Sequence, residues 1–355
     1  MRTVPLRTVL REWGRIGVIG FGGPPAHVAL LRATVVDRHR WVDAREFEDA
    51  NAACQLLPGP GSTQLSIYLA RRLAGTAGAW VGGLAFILPG LVLTLAIAAI
   101  ALQAEPPRWV AGFGAGAAAA VAAVVAQAGI ALGRDALAGR ELRAVVYVVL
   151  GGAAAVAVGP LVVVVLLACG AIELSWQRRR SHAAVHAWPL ALAWTALKAG
   201  GLSFGGGFVI IPLLQGDAIG RHWLTDQQFA NAVAYGQITP GPVTHTVAFV
   251  GWGAHDLAGA ILASVVAFAP SFAFILLGGG AFERLRGRAG PRAFLDGAGP
   301  AAVGAILGAA ILLATALDEA WQWGVLAAAA VALALRGPPV LVLLGGAAVG
   351  LLLGP

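Results

Sequence analysis

Pro-Gly-Pro occurs twice in this 355-residue chain, at 58–60 and 240–242, each time inside an otherwise apolar run. No unbroken helix passes through such a triplet, because the prolines remove backbone donors and the glycine admits angles other residues avoid. The two triplets belong to a longer correspondence. QLLPGP at 55–60 matches QITPGP at 237–242, sharing Gln55/Gln237, Pro58/Pro240, Gly59/Gly241 and Pro60/Pro242. Upstream, GVIGFGG at 17–23 matches GGLSFGG at 200–206, and after a one-residue slip Trp41 falls on Trp223 and Phe47 on Phe229. A further slip brings Pro89 onto Pro270. Ordered matches over about 70 residues indicate an internal duplication. The chain divides into an N-terminal repeat, 1–174, a basic linker, 175–188, carrying Arg178, Arg179 and Arg180, and a C-terminal repeat, 189–355.

The setting of the repeats is a bilayer. Apolar residues make up 59% of the chain and charged residues 12%, against about 25% charged in a soluble domain. The polar stretches are too short to bury a core of their own, which excludes a large extramembrane catalytic domain. Apolar runs lie at 15–31, 48–70, 76–102, 109–132 and 144–173, then at 189–211, 229–251, 257–280, 298–317 and 321–354. The expected fold is an all-α polytopic membrane protein of two homologous halves, about five helical segments each, with Pro-Gly-Pro-broken helices. The fifth run of each half is long for one span and short for two and carries Gly159-Pro160 or Gly337-Pro338-Pro339, so each reads either as one helix or as a pair of short ones.

The formal charge of +7 comes largely from arginines in short loops, where they set orientation rather than bind nucleic acid. The first loop of the N-half carries Arg32, Arg38, Arg40 and Arg45 against Arg221 alone in its counterpart; the third loop reverses this, Arg108 against Arg284, Arg286, Arg288 and Arg292. That swap favours inverted repeats. The N-terminal stretch lacks the apolar core and cleavage site of a signal peptide, so the first helix reads as retained. Cys54 and Cys169 match no metal-ligand spacing, and neither a metal nor a cofactor is expected.

Candidate chemistry gathers at the breaks. Non-helical backbone at membrane depth is tolerated where it is buried in protein or lines a wet cavity. Pro60 and Pro242 suit the first turn of a half-helix, whose leading N–H groups would come from Gly61, Ser62 and Thr63 and from Val243, Thr244 and His245. Such a terminus favours a small oxyanion, and Ser62, Thr63 and Thr244 add hydroxyls, with Gln64 beside them. Gly22 and Gly23, and their counterparts Gly205 and Gly206, admit close approach of either a ligand or a helix. Lys198, the sole lysine, either attracts a dianion or snorkels to an interface. His27 and His245 are candidates for proton coupling, the alternative being hydrogen-bonded core histidines. Glu46, Glu48 and Asp49 read as interfacial. Gly201-Leu202-Ser203-Phe204-Gly205 matches G-x-S-x-G without the strand a nucleophile elbow needs, and Gly112-Phe113-Gly114 begins a glycine string without the strand of a dinucleotide site. No enzyme is expected.

FGGPPAH at 21–27, QLLPGPGSTQ at 55–64, GLAFILPG at 83–90, SFGGGFVIIPL at 203–213 and QITPGP at 237–242 together resemble the chromate ion transporter family in its long, two-domain form. The resemblance implies a multi-pass exporter of chromate in the bacterial inner membrane, driven by the proton motive force and conferring chromate resistance. It also implies halves of opposite orientation. The partners expected are chromate or a sulfate-like oxyanion, protons and the lipid bilayer, and a homodimer is one assembly open to the chain. A transporter of sulfate or another small anion, or a passive anion channel, is the alternative.

Overall fold

The computed structural model describes residues 4–55, 57, 59–137, 142–157, 162–175, 188–203, 208–285 and 289–354, and they are helical nearly throughout. Pro58, Gly205 and Gly206 lie outside the described residues, as does most of the linker. The N-half contains α1 (Leu6–Ile19), α2 (Gly23–Arg32, continued by a π-helical turn, Ala33–Arg38), α3 (Ala44–Gln55), α4 (Gly61–Ala101), α5 (Arg108–Leu137), α6 (Leu142–Ala157) and α7 (Val162–Ser175). The C-half repeats the series as α8 (Trp188–Leu202), α9 (Ile210–Gly220), α10 (Asp226–Ile238), α11 (Thr246–Leu285, entered by a 3-10 turn, Val243–His245), α12 (Ala289–Thr315), α13 (Ala320–Ala334) and α14 (Pro339–Leu353).

Among the described residues, seven α-helices per half replace about five runs, and the reason is local. Three of the five N-half runs are each divided between two helices. The first run turns at Gly20–Gly22, where Gly22 and Gly23 have φ of 99° and 71°. The second is cut at the Pro-Gly-Pro triplet, and the fifth divides into α6 and α7, as α13 and α14 divide in the C-half.

Helix α4 is 41 residues long and folds back on itself. Ala74 and Gly75 leave helical geometry, Gly75 at φ 66°, and a Cβ on Gly78 would meet the Ala70 carbonyl. In a straight helix, residues eight apart stand about 12 Å apart. The two arms, 61–73 and 76–101, therefore lie side by side, with the turn where Arg71 and Arg72 interrupt the apolar pattern. α11 does the same at Asp256 (φ 45°), bringing Gly259 onto Gly251.

The short helices also return toward their own starting level. Arg38, at the end of the second helical segment, reaches Glu12 in α1, and Arg72 reaches Glu46 at the start of α3. Lys198 in α8 meets Asp217 in α9, and Gly253 in the first arm of α11 rests against Trp223 and Leu224 ahead of α10. Each half thus contributes two fold-back helix pairs and then a long crossing arm. Among the described residues, four stretches are long and apolar enough to cross a bilayer: Gly61–Ala101, Arg108–Arg134, Val243–Leu277 and Asp296–Thr315. The chain is a multi-pass membrane protein.

The remaining helices exchange partners between halves. α5 packs on α13 and α14, and α12 packs on α6 and α7. Small residues permit this closeness: a Cβ on Gly112 would lie 2.5 Å from the Gly350 carbonyl, and Gly346 faces Gly116 at 2.6 Å. The Gly112-Phe113-Gly114 string is a packing seam. Equivalent first helices are held equally tightly, α1 on α4 through Gly17 and Phe86, α8 on α11 through Gly200 and Ala267.

Candidate functional site

Gly59–Pro60 and Pro240–Gly241–Pro242 are buried, and each turn leans on the opposite half. Around the N-half turn, a Cβ on Gly59 (φ 118°) would lie 3.0 Å from the Gly200 carbonyl of α8, 3.5 Å from Ser271 Oγ of α11 and 2.6 Å from Gln64 Nε2. Around the C-half turn, the Gly241 N–H (φ 97°) donates to the Gly20 carbonyl at 2.9 Å. The Pro240 carbonyl occupies the place of a Cβ on Gly90, and His245 Cε1 lies 2.6 Å from that place. Only glycine fits at 90. The two contacts are related by the repeat, since Pro89–Gly90 aligns with Pro270–Ser271.

Pro60 and Pro242 precede helical turns, as their fixed φ favours. The N–H groups of Thr63 and Gln64 donate to the Pro60 carbonyl at 3.0 Å, and that of His245 to the Pro242 carbonyl at 2.9 Å. Thr63 and His245 therefore do not offer backbone donors outward. The leading N–H groups without an intrahelical acceptor are those of Gly61 and Ser62 and of Val243 and Thr244.

The hydroxyls are the more telling feature. Thr63, Ser66, Ser203, Thr244 and Ser271 are buried, and their side-chain oxygens make no hydrogen bond. Leaving a buried polar group unpaired costs about 1–3 kcal/mol, so native proteins keep such groups where a ligand or water meets them. Both ring nitrogens of His245 also lack a hydrogen bond of good geometry, although the Ile87 backbone interacts with the ring. The ring packs edge-on against Phe268 at 5.6 Å. Ser203, the serine of the G-x-S-x-G string, has no base bonded to it.

His27 is fully buried with both nitrogens engaged, Nε2 with the Gly20 carbonyl at 2.9 Å and Nδ1 with Ser62 Oγ at 3.2 Å. A carbonyl only accepts, so Nε2 carries the proton, and the neutral ring's Nδ1 accepts from the Ser62 hydroxyl. Lys198 does not snorkel. It is buried and donates to Asp217 Oδ2 at 2.5 Å, an oxygen that also accepts from Thr195 Oγ1 at 2.6 Å, while Arg221 reaches Oδ1 at 3.5 Å. Lys198 lies two positions before Gly200, the residue whose carbonyl abuts the N-half turn. Glu46 and Glu48 pair with Arg72 and Arg32.

Sequence reasoning missed Asp217 and Ser271, and weighed Ser203 only as a nucleophile. The signal for Asp217 is an acid in an otherwise apolar helix, four residues before Arg221. For Ser271 it is the repeat alignment, which sets a hydroxyl opposite a glycine.

Two broken-helix turns, buried together in the interior of a duplicated multi-pass helical protein and lined by unpaired donors, define the architecture of a membrane transporter. The profile of the chromate transporter family matches residues 7–174 and again 190–351, and the chain belongs to that family. A chromate transport protein of Cupriavidus metallidurans is 32% identical over 99% of this chain and 94% of its own length. Another, from Pseudomonas aeruginosa, is 32% identical over 86% of this chain and 80% of its own. A probable chromate transport protein of Synechococcus elongatus is 28% identical over 87% of this chain and 84% of its own. No solved structure matches.

Proposed function

We propose that this protein exports chromate, a tetrahedral dianion, across the bacterial inner membrane, driven by the proton motive force and giving chromate resistance. The observation that carries the reading is the pair of broken-helix turns, each leaning on the opposite half, with the buried Thr63 and Thr244 hydroxyls unpaired, in a chain of the chromate transporter family. The dianion would sit between the turns, held by the leading N–H groups and by Ser62, Thr63, Gln64 and Thr244, while Gly59, Pro60, Gly61, Pro240, Gly241 and Pro242 shape the two breaks around it. Gly22 and Gly23 make the turn that brings Gly20 and His27 to the same place. Pro58, Gly205 and Gly206 are assigned to the site by repeat position alone.

The repeats are read as inverted, each one unit of the divided chain, 1–174 and 189–355. Supporting this, the long arms of α4 and α11 run in opposite directions. Phe272 lies against Gly83 and Trp80, and the Ile275 carbonyl accepts from Arg71, beside the α4 fold-back. In the other direction, Thr94 reaches Thr239 at 3.4 Å. Rocking of the halves would then expose the site alternately.

Proton coupling is assigned to His27 and His245. When His27 takes a second proton, Nδ1 becomes a donor and Ser62 Oγ its acceptor, which frees the Ser62 hydroxyl hydrogen to point at the anion. Lys198 contributes its charge in exchange with Asp217, which already holds it.

The test is uptake of labelled chromate into inside-out vesicles containing the protein, with and without an imposed proton gradient and with excess sulfate. Gradient-driven accumulation is expected. Flux that runs only down the chromate gradient would make the protein a channel, and accumulation of sulfate without chromate would move the substrate.

A further inference from the structure

The two turns are equivalent by repeat and unequal by chemistry. His245 in the C-half stands where Thr63 stands in the N-half, and Gly90 opposite the C-half turn stands where Ser271 stands opposite the N-half turn. At the C-half turn, the imidazole lies 2.8 Å from the Cβ place on Gly241 and 2.6 Å from that on Gly90, so ring and turn fill the space between the halves. The Pro240 carbonyl, an acceptor that repels an oxyanion, faces the same contact. At the N-half turn, hydroxyls replace the ring. Thr63 and Ser271 are each fully buried, and neither oxygen has a partner. They belong to different halves, α4 and α11, and Ser271 faces Gly59, the centre of the triplet.

We infer that the oxyanion lies on the N-half side of the interface and that Ser271, supplied by the opposite half, donates a hydrogen bond to it. The inference rests on the oxyanion-transport reading above and refines it. The site is then asymmetric: α4 supplies the leading N–H groups and Thr63, α11 supplies Ser271, and the C-half turn closes the far wall through His245. Because its donors come from both halves, the anion bridges them, and relative motion of the halves changes the number of hydrogen bonds it receives.

The experiment uses the purified full chain in proteoliposomes, with labelled chromate and labelled sulfate as probes. Losing one hydrogen bond to a charged ligand weakens binding about tenfold or more, so Ser271→Ala should raise KM by that factor and leave kcat nearly unchanged. Ser271→Thr keeps the hydroxyl and should restore KM to near the wild-type value. Ser264→Ala, on the same helix with its hydroxyl bonded to the Ala260 carbonyl at 2.7 Å, should leave KM unchanged. Thermal unfolding of each variant reports whether it folds. An unchanged KM in folded Ser271→Ala, beside a wild type that moves either anion, overturns the role of Ser271 and leaves the transport reading intact. A wild type that moves neither anion overturns both.

Discussion

The first fold-back pair of each half holds a buried carboxylate, and the two halves arrange it in opposite senses. In the N-half the acid is on the first helix: Glu12 receives Arg38 at 3.2 Å, His39 at 3.5 Å and Arg15 at 3.9 Å. In the C-half the base is on the first helix and the acid on the second, Lys198 against Asp217. The framework around them is shared, since Arg38 and His39 align with Arg221 and His222, Arg15 with Lys198, and Glu12 with Thr195. Even the turn is shared: Arg40 and His222, each just before the repeated tryptophan, have φ of 52° and 58°. Duplication has therefore preserved a buried charge pair that ties two helices, while which helix carries which sign has drifted. The environments differ too. Arg38 is half exposed and Arg15 more so, whereas the Lys198 and Asp217 side chains are only 4% and 5% exposed.

That difference makes the two clusters unequal in energy, which mutation can break or sharpen. Removing one member of a buried pair costs about 3–5 kcal/mol where the other charge is left alone, and Asp217 would keep only the more exposed Arg221 at 3.5 Å, so Lys198→Met should lower the thermal stability of the detergent-solubilised protein. Cys54 and Cys169 are buried free thiols, so a thiol-reactive dye reports that unfolding. The double variant Lys198→Met with Asp217→Leu should recover most of the loss; a single variant as stable as wild type would remove the distinction between the clusters. Next in size is Gly90→Ala, whose new methyl meets the Pro240 carbonyl and should cost about 1–3 kcal/mol. Ser271→Ala at the equivalent position removes an atom rather than adding one, and equal losses at the two positions would show that the turns are packed alike. Smallest is Arg38→Gln, at most about 1 kcal/mol, because Glu12 keeps Arg15 and the His39 ring beside it and the lost cation is water-exposed. Salt should shrink that effect further, and a loss as large as that of Lys198→Met would place both clusters in one class.

Much of the frame was legible. Hydropathy located the runs, and the repeat located the triplets, because both signals extend over many residues. The α4 fold-back was visible as a polar break, since Arg71 and Arg72 cannot lie in hydrocarbon unpaired. Hydropathy did not show that 15–31 turns at Gly20–Gly22, because an apolar run reads the same whether the backbone continues or reverses. Side-chain pairing was the least legible. Lys198 reads as a free charge until α9 is placed beside α8 and supplies Asp217, a contact that only the tertiary fold creates. Ser62 likewise reads as a free donor until His27 accepts its proton.

The exchange of partners between halves has a consequence for biosynthesis. α5 is made early and its companion α14 follows the other helices of the C-half, so the glycine seam from Gly112 to Gly350 stays open until the C-terminal repeat has been made. The Gly20 carbonyl likewise waits for the Gly241 N–H. A nascent N-half therefore stands in the membrane with its seam unfilled and its first glycine turn held by His27 alone, and the second half arrives as its assembly partner from the same ribosome.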